Sequence, residues 1–74
     1  MNIIELNQKI KNGAVYLYDD VNEACLKVYL EEGEKRCELK HRGKAPVVVH
    51  YSYPTAFDMM LGGKEIKEKE YKDF

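Results

Sequence analysis

The sequence predicts an α+β fold: a four-stranded antiparallel meander sheet with an N-terminal helix and one or two C-terminal helices packed on one face. Three observations lead there. Apolar and polar residues alternate with period two in four separate runs, apolar residues at helical spacing occur only outside those runs, and acidic or glycine-containing turns separate them. Seventy-four residues suffice for one small domain, residues 1–74, with no repeat, linker or low-complexity stretch. At 45% hydrophobic and 34% charged, the chain is too apolar to be disordered.

Ile3, Leu6 and Ile10 share one face of a first helix; Asn2 can cap its start, and Lys9 and Lys11 lead into the stop at Asn12-Gly13. From Ala14 to Tyr18 the period becomes two, with Val15 and Leu17 against Tyr16 and Tyr18. After a polar turn at Asp19 to Glu23, Leu26, Val28 and Leu30 alternate with Cys25, Lys27, Tyr29 and Glu31. In the third run Cys37 and Leu39 alternate with Arg36, Glu38 and Lys40, and the fourth, Val47 to Tyr53, is β-branched and aromatic.

One register keeps apolar residues opposite each other throughout, and a slip of one residue would turn every side chain to the wrong face. A two-residue turn at Glu32-Gly33 sets Leu26 opposite Leu39 and Val28 opposite Cys37. A loop of Arg42-Gly43-Lys44 sets Leu39 opposite Val47 and Cys37 opposite Val49. A loop over Asp20 to Glu23 sets Leu17 opposite Leu26 and Val15 opposite Val28.

Pro54 can open a second helix from Thr55 to Leu61, with Ala56, Phe57, Met60 and Leu61 as its apolar stripe and Gly62-Gly63 as its stop. Lys64 to Phe74 reads as a short terminal helix, with Glu65 and Lys69, and Glu68 and Lys72, at ion-pair spacing. The helices are expected to cover the face that carries Val15, Leu17, Leu26, Val28, Leu30, Cys37, Leu39, Val47, Val49 and Tyr51. The opposite face then displays Tyr16, Tyr18, Cys25, Lys27, Tyr29, Arg36, Glu38, Lys40, Val48, His50 and Ser52.

No chemical signature survives this placement. Cys37 and His41, four residues apart on a strand, stand about 13 Å from each other and cannot converge on one metal ion. Cys25 and His50 share the outer face but are held about 10 Å apart by the strand between them, so Cys25 reads as an exposed structural thiol. The same register sets Cys25 and Cys37 on opposite faces, against a disulfide. Asp19-Asp20 and Glu31-Glu32 lie in turns without opposing carboxylates, and Gly62-Gly63-Lys64 follows a helix where a phosphate loop follows a strand. The expectation is a protein that is not an enzyme, with no catalytic, metal or cofactor site.

Twelve Lys and Arg against thirteen Asp and Glu give a net charge of -1, so no long-range positive field gathers phosphate backbones. Glu5 interrupts the N-terminal apolar residues and no run reaches membrane-spanning length, which suggests a cytosolic protein without a membrane partner.

Two features stand above this background. Tyr16, Tyr18 and Tyr29 cluster with Lys27, Arg36, Lys40 and His50 on the outer face, where aromatics and cations serve protein contacts or, less in keeping with the charge, stack single-stranded bases. The run Val47 to Tyr53, with Val48, His50 and Ser52 facing out, forms a sheet edge that only Pro46 and Pro54 bracket. That edge can pair with a partner strand or with its own copy across a two-fold axis. The leading expectation is a small interaction module that binds a protein partner. By analogy of type, chains of this size and kind occur among phage and mobile-element accessory proteins, including inhibitors of host systems. The alternative is a small nucleic-acid-binding regulator using the same tyrosine face.

Overall fold

The computed structural model describes all 74 residues. Helix α1 (Ile3–Lys9) begins where Asn2 Oδ1 accepts the Glu5 backbone N–H at 2.8 Å, satisfying one of the donors a helix start leaves free. Strands β1 (Val15–Asp19), β2 (Ala24–Glu31), β3 (Glu34–His41) and β4 (Val47–Val49) follow as antiparallel neighbours. All three expected registers are present: Leu17 faces Leu26, Leu26 faces Leu39, and Leu39 faces Val47. At the β2–β3 turn, Glu32 (φ 52°) and Gly33 (φ 79°) both adopt the left-handed backbone that a tight two-residue hairpin needs.

Three departures from the expected architecture matter for function. The sheet has five strands, not four. Strand β5 (Lys64–Ile66) pairs antiparallel with β1, Tyr16 facing Ile66 and Tyr18 facing Lys64, to give the order β4-β3-β2-β1-β5. The charge spacing that suggested a helix from Lys64 is overridden by Gly63: a Cβ there would collide with the Met59 carbonyl oxygen, so only glycine lets the chain leave α2 (Pro54–Gly62) tightly enough to lie beside β1. Glu65 then pairs with Lys9 at 2.6 Å instead of Lys69, while the expected Glu68–Lys72 pair forms at 3.3 Å.

The helices do not all pack on one face. The core lies between the inner face of the sheet and helices α1 and α2, with Leu6, Leu17, Leu26, Ala56 and Met59 fully buried at its centre. Helix α3 (Glu68–Asp73) lies across the opposite face, where Tyr71 is buried with its ring 5.1 Å from that of Tyr16. Its hydroxyl donates to the Glu38 backbone carbonyl at 3.4 Å. The two β1 tyrosines give this face the aromatic area on which a short helix with one aromatic anchor can pack.

Strand β4 ends after three residues. The expected run to Tyr53 breaks because the His50 carbonyl accepts the Tyr53 N–H at 2.9 Å, turning the chain into Pro54 at the start of α2. Helix α2 packs over β1, so its cover stops short of the far edge. Leu30, Val47 and Tyr51, expected in the core, are therefore exposed, and Val49 is only half-buried against it. Within α2 the buried positions are Ala56, Met59 and Met60; Phe57 and Leu61, expected inside, are rotated outward. No helix is long and apolar enough to cross a membrane.

Candidate interaction surface

The tyrosine face is largely occupied by the protein itself. Tyr16 is half-buried against Tyr71 and its hydroxyl donates to Glu68 at 3.2 Å. Tyr18 meets Phe74 edge-on, ring centres 5.7 Å apart. Phe74 lies under the Arg42 guanidinium at 4.2 Å, with the Lys40 ammonium 5.7 Å from its ring centre, and its carbonyl oxygen accepts the Gly43 N–H at 2.8 Å. Lys40 is thereby buried, its stem covered and its charge over a π-face. Cys25, expected as an exposed thiol, is fully buried beneath this cover. Burial pushes its pKa up more strongly than Lys40 and Arg42 pull it down, which makes it a poor nucleophile.

The uncovered half of that face is internally satisfied. The Lys27 ammonium lies 4.9 Å from the Tyr29 ring centre, and the Tyr29 hydroxyl donates to Glu38 at 2.9 Å, a bond that raises its pKa. Arg36 pairs with Glu34 at 3.0 Å. His50 and Ser52, expected on this face, sit beyond the end of β4; Ser52 donates its backbone N–H to His50 Nδ1 at 3.1 Å, and its hydroxyl lies 2.6 Å from the same nitrogen. Among the nine residues the sequence singled out, Val48 alone combines a place on the strand edge with an exposed apolar side chain, at 69%.

No three His, Cys, Asp or Glu side chains are grouped to hold a metal ion. Cys37 is fully buried and its thiol is pushed up to about 11 by desolvation, while His41 on the same strand is exposed. The two cysteines are free, one on each side of the sheet.

The other end of the sheet is open. Antiparallel ladders alternate, and the two-residue turn closes on the Glu31–Glu34 pair, so Glu34, Arg36, Glu38 and Lys40 aim their backbone groups at β2. Cys37 and Leu39 are left to bond β4, through Val49 and Val47. The N–H and C=O of Val48 accordingly point away from the sheet. Where β4 stops, β3 runs on, leaving an open hollow of about 530 Å³ lined by Glu34, Lys35, Arg36, His50 and Tyr51.

Helix α2 extends this open region. Tyr53, Phe57 and Leu61 recur every four residues and form one stripe, each between 44 and 49% exposed. The same spacing was readable in the sequence, but positions 56, 59, 60 and 63 fit helical periodicity equally well. In the folded chain Ala56, Met59 and Met60 turn in, and Gly63 closes tightly on the Met59 carbonyl and Leu17. Comparison with protein-family models, curated proteins and solved structures gives no match to the chain.

Proposed function

We propose that the protein is a non-catalytic interaction module whose working surface is residues 47–61: the β4 edge and the outward stripe of α2. One observation carries this reading. Of nine large hydrophobic side chains left exposed, six fall within these fifteen residues: Val47, Val48, Tyr51, Tyr53, Phe57 and Leu61. Scattered apolar residues are ordinary on a protein surface, but a concentration of this kind, rich in aromatic rings, is what binding to another protein uses. Lys35, Arg36 and His50 beside it supply a polar rim.

In this reading Tyr16, Tyr18 and Lys40 seat helix α3, and Tyr29, Lys27 and Arg36 stiffen the face beside it. The nucleic-acid alternative draws less support, since two of the three tyrosine rings it would stack on are packed against Tyr71 and Phe74.

Affinity capture with quantitative mass spectrometry tests the proposal, using the wild-type chain and the double variant Phe57→Lys, Leu61→Lys. Both positions are half-exposed, so the variant should melt close to wild type. The expected result is a partner protein enriched by the wild type and lost from the folded variant. Equal capture by both chains contradicts the assignment.

A further inference from the structure

The Val48 edge has a hydrogen-bonding pattern that is complementary to itself. We infer that two copies of the chain pair through β4 across a two-fold axis at Val48, joining their sheets into one of ten strands. The inference rests on the reading of residues 47–61 as an interaction surface and assigns its β4 part to a second copy, leaving the α2 stripe for an outside protein.

The register follows from which groups are free. With the axis at Val48, each Val48 N–H donates to the other copy's Val48 carbonyl, a reciprocal pair of bonds. By the same alternation Pro46 and His50 also face outward and lie opposite one another. The His50 N–H can donate to the Pro46 carbonyl of the second copy. The reverse bond is absent for a matching reason on both sides: proline has no N–H, and the His50 carbonyl already accepts from Tyr53. Four bonds form and no free group is left facing a partner that lacks its complement.

Neighbouring registers are poorer. An axis at Val47 sets Val48 opposite Pro46 and leaves both Val48 carbonyls without a donor. An axis at Val49 directs the Val48 N–H to the His50 carbonyl that the turn already uses.

The side chains agree with the backbone. Val48 meets Val48 on one face, and on the other the exposed Val47 meets the half-buried Val49, so apolar side chains cover each other on both sides of the joined sheet. Strand β4 carries no charge, and a net charge of -1 per chain opposes association very little. The surface that two three-residue strands can cover is below the usual size of a stable interface, so the dimer should dissociate on dilution. A foreign strand could pair with the same free groups, but would have to reproduce the missing donor opposite His50.

Sedimentation equilibrium across a dilution series from about 1 mM tests this. The wild type should move from dimer to monomer on dilution. Val48→Pro removes both central donors at a position where the N–H faces solvent in the monomer, and Val48→Lys keeps the donors but sets two charges side by side across the axis. Each should raise the dissociation constant at least tenfold in a chain whose circular dichroism is unchanged, and Val21→Lys, on the exposed β1–β2 loop, should not. A wild type that stays monomeric throughout, or a dimer indifferent to both Val48 variants, overturns the inference. A wild type that forms no dimer yet captures a partner through Phe57 and Leu61 would overturn this inference alone. A β4 dimer that captures no partner would contradict the interaction reading instead.

Discussion

The sheet has two edges of equal length and opposite character. Strand β5 is Lys64-Glu65-Ile66, flanked by Lys67, and Glu65 is tied to Lys9 of α1. Strand β4 is Val47-Val48-Val49 with no charge and no ion pair. Charged residues on an edge deter pairing with other chains, and their absence invites it. The β5 edge is closed off; the β4 edge is presented. Helix cover follows the same division, since α2 packs over β1 and α3 follows β5 directly, while Val47, Val48 and Tyr51 stay exposed.

The largest expected effect comes from dismantling the closed side. Tyr71 is the one buried residue of α3, and Tyr71→Ala should destabilise the domain by about 3 to 5 kcal/mol, a large fraction of what so small a core provides. Urea denaturation gives the value. A thiol reagent should then modify Cys25 well before Cys37, because α3 covers only the first. Simultaneous modification would mean that α3 is not an independent cover.

Gly63→Ala forces a methyl group into the Met59 carbonyl and against Leu17, which should cost about 1 to 3 kcal/mol and loosen β5 from β1. Thermal melting measures the loss, and amide exchange at Tyr16 and Tyr18 locates it. An unchanged melting temperature would mean that the fifth strand does not depend on glycine at this position.

Next in size is an alkaline effect on the open side, where Cys37 lies opposite Val49. In the unfolded chain the thiol ionises near pH 9, while in the folded protein burial holds it neutral to about 11. The unfolded state therefore loses its proton first, and stability present below pH 9 is lost as the pH rises towards 11, by about 2 kcal/mol. The raised Lys9 pKa, caused chiefly by its bond to Glu65, and the raised pKa of Tyr71, caused chiefly by burial, act in the same direction at higher pH. Denaturation at pH 8 and pH 10.5 should show a smaller loss in Cys37→Ala than in the wild type; equal losses would assign the effect to the tyrosines and lysines. The smallest effect should follow Glu65→Val, which removes the charge guarding β5: stability changes little, but light scattering should detect species heavier than a dimer at high concentration.

The strand registers were readable in the sequence because alternation leaves one pairing that matches apolar residues, and Glu32-Gly33 can adopt the backbone its turn requires. The N-terminal helix was readable from Asn2 and the spacing of Leu6 and Ile10. The fifth strand was not, because three residues carry no usable period and the Glu65–Lys69 spacing imitates a helix. Gly63 held the answer, but its role depends on Met59 and Leu17, brought to it only by the fold. For the candidate surface, the exposed place of Val48 on an edge strand was legible from a run without charge. The packing of Tyr16 and Tyr18 against Tyr71 and Phe74 was not legible, because residues that suit a partner equally suit a helix of the same chain. The stripe of Tyr53, Phe57 and Leu61 was missed because helical periodicity alone does not say which of two apolar faces turns inward.

Amide hydrogen exchange compares the two edges directly, since the backbone groups of Val48 and of Glu65 both face away from the sheet by the same alternation. At about 1 mM chain the Val48 amide should be protected and become exchangeable on dilution, while Glu65 exchanges freely at every concentration. A Val48 amide that exchanges as fast as that of Glu65 at high concentration would contradict the account of β4 as the self-pairing edge.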